Sequence, residues 1–467
     1  MPTKMGRRFM ATEPIARDKP RTLGPLKDKM NVVHALAWYF PDSTGGTEVY
    51  VSGLADELTA VGVSSSIAAA CDGEQSLDYV RHDVAVHRYP FAAGKPAATR
   101  AKPSPQNFDD FVGWLQRQPR GIYHQHSWTP SCGLYHLNAA KSLGFRTVLT
   151  IHVPGNTCLR GTMMEFGAVP CDGRVEVERC ASCWSQERGL SRSAAHVLAR
   201  MPQAISRAAY RSGAASRFVT ALGARELAAE RRRQIGAMAN AADRIIAVCA
   251  WLKDALWRNG VAADKLVLSR QGVERRFSAR PTAQRDNKDT FRLGFLGRCD
   301  PIKGLAVLLD AMDGLPRDIP LEVAIYALAN TEEEQLYRDT LRARAAGDPR
   351  IKFLPPVARA ELPAVLAGFD LLAVPSQWME TGPLVVLEAQ ALGVPVLGSD
   401  LGGIAELVTP GIDGHLVPFA DSSAWAGAIR KAVAGALPCL HKTNAPRAVR
   451  TMADVARDMA ALYDGIA

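Results

Sequence analysis

The sequence predicts an α/β protein made of two doubly wound, Rossmann-like domains that face an interdomain cleft. Three observations carry this expectation. The chain has 467 residues, enough for two full cores and for roughly two or three domains. Short apolar runs closed by polar turns alternate with segments whose apolar residues recur at helical spacing, the pattern of βα units around a parallel sheet. The alternation starts at Asn31, breaks in the polar stretch RPTAQRDNKDT and restarts at Phe291. The expected division is a basic tail over 1–30, a first domain over 31–279 with an insertion at about 155–240, a linker over 280–290, a second domain over 291–440 and a terminal helix within 445–467.

Composition narrows the class. With 47% hydrophobic and 22% charged residues the chain reads as an ordinary globular protein. No apolar run approaches the roughly 18 residues of a membrane span, and the basic N-terminus lacks the apolar region of a secretory signal, so a cytoplasmic protein is expected. Nine cysteines in that setting read as reduced thiols, some of them open to metal, rather than as a disulfide framework. Over half of the net charge of +9 belongs to residues 1–30, where eight basic residues face three acidic ones. That tail carries four prolines and no periodic apolar face, so disorder is expected there. Neither aromatic-basic interleaving nor zinc-finger spacing accompanies the charge, which argues against a nucleic-acid partner.

The first domain opens with NVVHALAW, a buried strand, followed by a loop ending in Gly45-Gly46 and by a helix marked by Val49, Leu54 and Leu58. A glycine pair entering a helix lets the backbone approach a ligand, and Gly46 is the candidate; a plain tight turn is the alternative. No Gly-x-Gly-x-x-Gly follows that strand, which argues against a nicotinamide or flavin enzyme. Strands are expected at 63–70 and 83–89, and a Pro- and Ala-rich loop at 94–107. GIYHQHSW and TVLTIH then repeat one design, an apolar strand ending in histidine, which brings His124, His126 and His152 to strand ends where open α/β sheets bind ligands. Buried, hydrogen-bonded structural histidines are the other reading.

Within the insertion, Cys158, Cys171, Cys180 and Cys183 fall together and end in a Cys-x-x-Cys. A structural zinc with four sulfur ligands is one reading; reduced thiols in a loop-rich segment is the other. Ten arginines follow between 186 and 233, opposed by Glu187, Glu226 and Glu230 and interleaved with apolar residues, so amphipathic helices are expected. Such a face suits peripheral contact with an anionic membrane or a polyanionic acceptor, or it is simply solvated. ADRIIAV, a helix at 251–259 and a strand at 266–270 complete the domain.

The second half restarts with a strand at 291–296, a turn carrying Arg298, and Lys303-Gly304 opening a helix with Leu305, Leu308, Leu309 and Met312 in register. Two cations at a helix start oppose the helix dipole, which is a reason to expect an anion such as a diphosphate between them. A strand at 321–327 follows, and then the stretch on which the molecule is centred: VPSQWMETGPLVVLEAQALGVPVLGSDLGGIAELV, from Val374 to Val408. Here an apolar strand at 371–375 breaks into a polar loop holding Glu380 and Gly382, and Pro383 and Leu384 open a helix whose free N–H groups favour an anion. Glu388 lies in the second turn of that helix, so the two carboxylates cannot form one proton-sharing pair. Glu380 is expected to meet a substrate at the loop, and Glu388 to hydrogen-bond a polyol beside the phosphate. A strand at 394–398 and Gly402-Gly403 follow.

With the Glu-x7-Glu spacing from Glu380 to Glu388, Pro375-Ser376, Gly382-Pro383, Gly393-x-Pro395-Val396 and Gly402-Gly403-x-x-Glu406, the chain strongly resembles the retaining family 4 glycosyltransferases of the GT-B fold. The resemblance covers most of 31–440 and is loose over 155–240. It implies transfer of a sugar from a nucleoside diphosphate sugar, the co-substrate, to a carbohydrate, lipid-linked or small-molecule acceptor with retention of configuration, and no cofactor for catalysis. It also implies that the Gly46 loop faces the donor phosphate and the acceptor, that Arg298 and Lys303 neutralise the leaving diphosphate, and that the His124 and His126 pair and His152 line the cleft, with His152 at the transferred sugar. The terminal helix would cross back onto the first domain, and the enzyme would work in the cytoplasm or at the inner face of the membrane. A catalytically idle sugar-nucleotide- or glycan-binding protein on this scaffold, and a synthase- or phosphorylase-type enzyme, are the alternatives.

Overall fold

A computed structural model describes residues 30–43, 45–91, 108–214, 216–279, 281, 290–441 and 448–467. Nearly all of the expected basic tail, the whole 94–107 loop and nearly all of the linker lie outside them. In the first half, strands β1 (Asn31–Leu36), β2 (Ser64–Cys71), β3 (Leu77–Arg81), β4 (Val84–Pro90), β5 (Ile122–Gln125) and β6 (Arg146–Ile151) precede the insertion. The insertion holds the two-residue strands β7 (Met164–Glu165) and β8 (Val169–Pro170), and β9 (Arg244–Ala247) and β10 (Leu266–Leu268) follow it. The sheet order is β10-β9-β6-β5-β1-β2-β4-β3, parallel except for the edge strand β3. Central strands such as Ile122–Gln125 are buried at every position, as a parallel sheet covered on both faces requires.

The second half contains β11 (Phe291–Arg298), β12 (Leu321–Leu328), β13 (Ile351–Phe353), β14 (Leu371–Val374), β15 (Val396–Ser399) and β16 (Gly414–Val417) in the order β13-β12-β11-β14-β15-β16. All its pairings are parallel. In both sheets the strand order reverses beside the first strand of the unit, between β1 and β5 and between β11 and β14. A doubly wound sheet binds ligands at this switch point, beyond the carboxyl ends of the strands.

Besides the two-residue β7 and β8, three strands were not expected. β3, β13 and β16 are short and polar and owe their place to an edge rather than to burial. The strand expected at 394–398 begins two residues later, because Gly393 takes a left-handed φ of 68° to leave the preceding helix and Pro395 cannot donate to a ladder. Helix Met452–Asp464 packs on the first sheet, not the second: Met452, Val455, Ala456, Met459, Ala460 and Tyr463 join one core with Val32, Leu36, Tyr50, Val51 and Leu54. The chain re-enters the first domain at a bridge, where Val273 N–H donates to Arg450 O and Met452 N–H to Val273 O, both at 2.9 Å.

Candidate active site

The loop after β14 is positioned from three sides. Gln377 N–H donates to Ile302 O at 2.7 Å, which lays the loop on the turn Pro301–Lys303. That approach requires glycine at 304, which has a φ of 74° and where a Cβ would stand 1.8 Å from Pro375 O. From behind, Gly403 N–H donates to Glu380 O at 2.6 Å. A Cβ there would also meet that oxygen at 2.6 Å, so the Gly402-Gly403 pair is there for close approach. From across the cleft, Trp251 Nε1–H donates to Glu380 O at 3.0 Å and Thr381 Oγ1 to His152 O at 2.5 Å.

So held, the buried Glu380 carboxylate accepts from Lys303 Nζ at 2.6 Å and from Ser376 Oγ at 2.8 Å. The sequence identified Lys303 and Glu380 separately; the fold makes them one ion pair, with Lys303 also over the Trp378 ring. Arg298, half-exposed at the end of β11, is held only loosely, 3.5 Å from both Asp300 and Glu334. It is free to turn toward a ligand.

Helix Leu384–Ala391 starts one residue later than expected, with Pro383 as its N-cap rather than in its first turn. Pro383 offers no side-chain cap, and while Val386 N–H turns back to Pro383 O at 3.1 Å, the Leu384 and Val385 N–H groups stay available at a half-exposed helix end. The N-terminus of helix Gly46–Ala60 lies opposite: a Cβ on Gly46 would be 3.9 Å from Leu384 Cδ1. Two helix N-termini thus face each other across the cleft, with Lys303, bound to the Glu380 loop, beside them. The loop before Gly46 is braced by buried Arg88, which donates to Ala70 O, Tyr39 O and Phe40 O and pairs with Asp42 at 2.7 Å. An arginine inside a sheet gave no sign of that task in sequence.

Glu388 is buried with Arg359, whose Nη2 lies 2.6 Å from Oε1, and Arg359 also grips Glu274 at 2.7 Å. Burial pushes the Glu388 carboxyl up while Arg359 pulls it down. Arg359 and Glu274 carry no motif and could not be found by spacing. Glu406, known beforehand only as part of a pattern, accepts from Ala250 N and Trp251 N at 2.9 Å each and from Arg270 Nη1 at 2.6 Å. It therefore caps a helix of the first domain from the second.

The histidines correct one expectation. His124 and His126 do not line the cleft; both are buried. His124 is held by Tyr463 OH at 2.6 Å and Thr150 Oγ1 at 2.7 Å. His126 bridges His34 at 3.1 Å and His152 at 3.2 Å. Burial takes His34 and His152 down to about 3, so the row is neutral. His152, at the cleft end of the row, keeps a buried Nδ1 without a hydrogen-bond partner, and Tyr50, whose hydroxyl is equally unpartnered, stacks edgewise 4.8 Å away. Gln271 Oε1 is a third such atom, 3.1 Å from where a Cβ on Gly382 would be. Cys158, Cys171, Cys180 and Cys183 lie elsewhere, around one small cavity of the insertion.

A family model described as glycosyltransferase family 4 matches residues 44–276, and one described as glycosyl transferases group 1 matches 290–434. A phosphatidyl-myo-inositol mannosyltransferase of Mycobacterium leprae is 38% identical over 137 residues, 29% of this chain and 35% of that protein. A D-inositol 3-phosphate glycosyltransferase of Stackebrandtia nassauensis is 35% identical over 173 residues, 35% of this chain and 37% of that protein. The matched stretch thus spans about a third of these curated relatives. Anabaena HepE in complex with UDP superposes with a TM-score of 0.56 at 17% identity, covering 93% of this chain and 95% of that one. Sucrose-phosphate synthase from Thermosynechococcus elongatus does so at 0.60 and 17%, covering 94% and 99%. At such identities the likeness shows the fold, which is GT-B. Matched by one family model on each side of the cleft, the chain belongs to the family 4, group 1 glycosyltransferases of the GT-B fold.

Proposed function

We propose that this chain transfers a hexosyl group from a nucleoside diphosphate sugar to a glycan, lipid-linked or small-molecule acceptor, with retention of configuration. The observation that carries the reading is the Lys303–Glu380 pair at 2.6 Å beside the uncapped helix start at Leu384. A cation, open N–H groups and a buried carboxylate occupy adjoining places, as a diphosphate joined to a sugar would need. Lys303 and Glu380 satisfy each other. A donor would take Lys303 with its diphosphate and Glu380 with its sugar hydroxyls, while Glu388 and the Gly46 loop would hold the nucleotide end. Negative charge that grows on the diphosphate as the glycosidic bond breaks would be stabilised by Lys303, Arg298 and the helix N–H groups, without reorganisation of solvent. His152 Nδ1 and Tyr50 OH, unpartnered in the protein, are suited to hydrogen-bond a sugar or acceptor hydroxyl. No side chain is assigned as nucleophile.

The named relatives act on inositol-containing acceptors, one of them a lipid, which supports including a polyol or lipid-linked acceptor in the trial set. Peripheral contact with an anionic membrane belongs to the same reading. Among the described residues no helix is long and apolar enough to cross a membrane, but exposed Val197, Ile205 and Phe218 alternate with exposed Arg192, Arg211 and Arg217 on the helices of the insertion. Sedimentation with vesicles that do and do not contain anionic lipid tests that part. The main test incubates the protein with UDP-, GDP- and ADP-sugars and follows nucleotide release and thermal shift. Release with one donor, and a product with retained anomeric configuration, is expected; thermal stabilisation without turnover on any acceptor would favour an idle binding protein.

A further inference from the structure

Away from the cleft, the four cysteines of the insertion reach one place from three separate backbone features. Cys158 follows the turn Pro154–Asn156 and donates its N–H to Pro154 O at 2.9 Å. Cys171 closes the β7–β8 hairpin, with its N–H on Met163 O at 2.8 Å. Cys180 and Cys183, three apart, share one face of helix Val177–Glu187. All four line a single cavity of about 30 Å³, room for one ion or one water and too little for an iron–sulfur cluster. Phe166 N–H donates to Cys183 Sγ at 3.1 Å, a contact that favours a thiolate. Arg160 and Arg179 line the same cavity, and their buried Nε atoms have no hydrogen-bond partner. Each Nε also faces a carboxylate, Glu187 at 3.8 Å from Arg160 and Glu176 at 3.9 Å from Arg179.

We propose that Cys158, Cys171, Cys180 and Cys183 bind one structural zinc ion as a tetrathiolate. Binding of Zn²⁺ releases four thiol protons to solvent and forms four Zn–S bonds, leaving a site of charge −2 beside the two arginines. The free thiols are spaced more widely than ligands in place: among the described residues only His34, His124 and His126 bring three donor atoms within 4.8 Å of one another. That trio is engaged in the hydrogen bonds already described and, at His34 Nε2, with Ser65 Oγ at 3.5 Å. Metal binding at about 2.3 Å per sulfur would turn the thiols inward. The ion would then fix the segment between Cys158 and Cys171. Within it Met163 and Met164 pack against Met379, and Thr162 O accepts from Met379 N–H at 3.1 Å, next to Glu380. Zinc would thus stiffen the wall that supports the Glu380 loop.

The test is elemental analysis of protein purified without chelator, together with zinc release followed by a chromogenic chelator during titration with a mercurial. Close to one zinc per chain, released as four thiols react, is expected, and Cys180→Ser/Cys183→Ser should lose it. Substoichiometric zinc in folded protein, iron with acid-labile sulfide, or full zinc retained in a folded double variant would each overturn the assignment. If the double variant does not fold, the stoichiometry and thiol count of the unsubstituted chain decide alone.

Discussion

At the scale of the residue, Glu380 and Glu388 lie eight positions apart in sequence but in different company: one with Lys303 and Ser376, the other with Arg359. The difference predicts separable phenotypes. On the proposed reading, in which Glu380 meets the transferred sugar, Glu380→Gln should lower kcat on the order of 10²-fold with little change in affinity for free nucleoside diphosphate. Glu388→Gln should weaken binding of both donor and free nucleotide by roughly tenfold, about 1.4 kcal/mol, with a smaller effect on kcat. Nucleotide titration beside steady-state kinetics checks both, and equal loss of nucleotide affinity in the two variants contradicts the division. Gly403→Ala tests the packing behind Glu380: its Cβ would meet Glu380 O at 2.6 Å, so the loop must shift. Activity should fall more than the melting temperature. Both glutamates, Lys303 and Gly403 were legible because they sit in one continuous stretch or at a helix start with recognisable spacing. Arg359, Glu274 and Arg88 were not, since each acts on a partner distant in sequence and nothing in the local pattern sets it apart from a solvated charge.

At the scale of the element, helix Ala250–Arg258 depends on a carboxylate from another domain. Its own N-cap, Cys249, gives no side-chain bond, whereas Glu406 accepts two of its first N–H groups at 2.9 Å. Glu406→Ala should therefore cost about 1–2 kcal/mol, the loss of a charged cap. Because the cap bridges two domains, the variant should also bind nucleotide less tightly, measured as a smaller thermal shift at saturating ligand. A variant with unchanged stability and unchanged shift would show that the other contacts across the cleft, such as Trp251 Nε1–H to Glu380 O and Thr381 Oγ1 to His152 O, suffice to tie the domains. Elements with a long apolar run or clear helical period were legible, as the central strands of both sheets show. β3, β13 and β16 were not, because short edge strands are specified by the neighbour they pair with rather than by their own alternation.

At the scale of the whole molecule, five buried histidines make stability a function of pH. Burial takes His34, His136 and His152 down to about 3, and holds His124 and His126 well below the ordinary 6.5. The folded state keeps them neutral while the unfolded chain takes up protons below 6.5, so their contribution is complete above that pH and is lost as the pH falls toward 3. Each histidine adds a slope of at most about 1.4 kcal/mol per pH unit. The melting temperature should be nearly level from about pH 8 to 7 and fall steeply below about pH 6, with several protons bound on unfolding. A melting temperature constant to about pH 4.5 would mean that these rings are hydrated. The histidines at strand ends were legible; their number and their row were not, because His34 and His126 meet only when β1 and β5 become neighbours.

Tyr463 hydrogen-bonds His124 at 2.6 Å, and its helix covers Val32, Leu36 and Val51. On the ribosome, those partners emerge some four hundred residues before the helix that covers them. The first domain must wait, with an apolar groove uncovered, while the entire second domain is made and folds ahead of it. Chains arrested before residue 452 should accordingly be protease-sensitive in the first domain and resistant in the second, the reverse of the N-to-C order expected for independent domains. Supplying the missing helix as a separate peptide should restore protection.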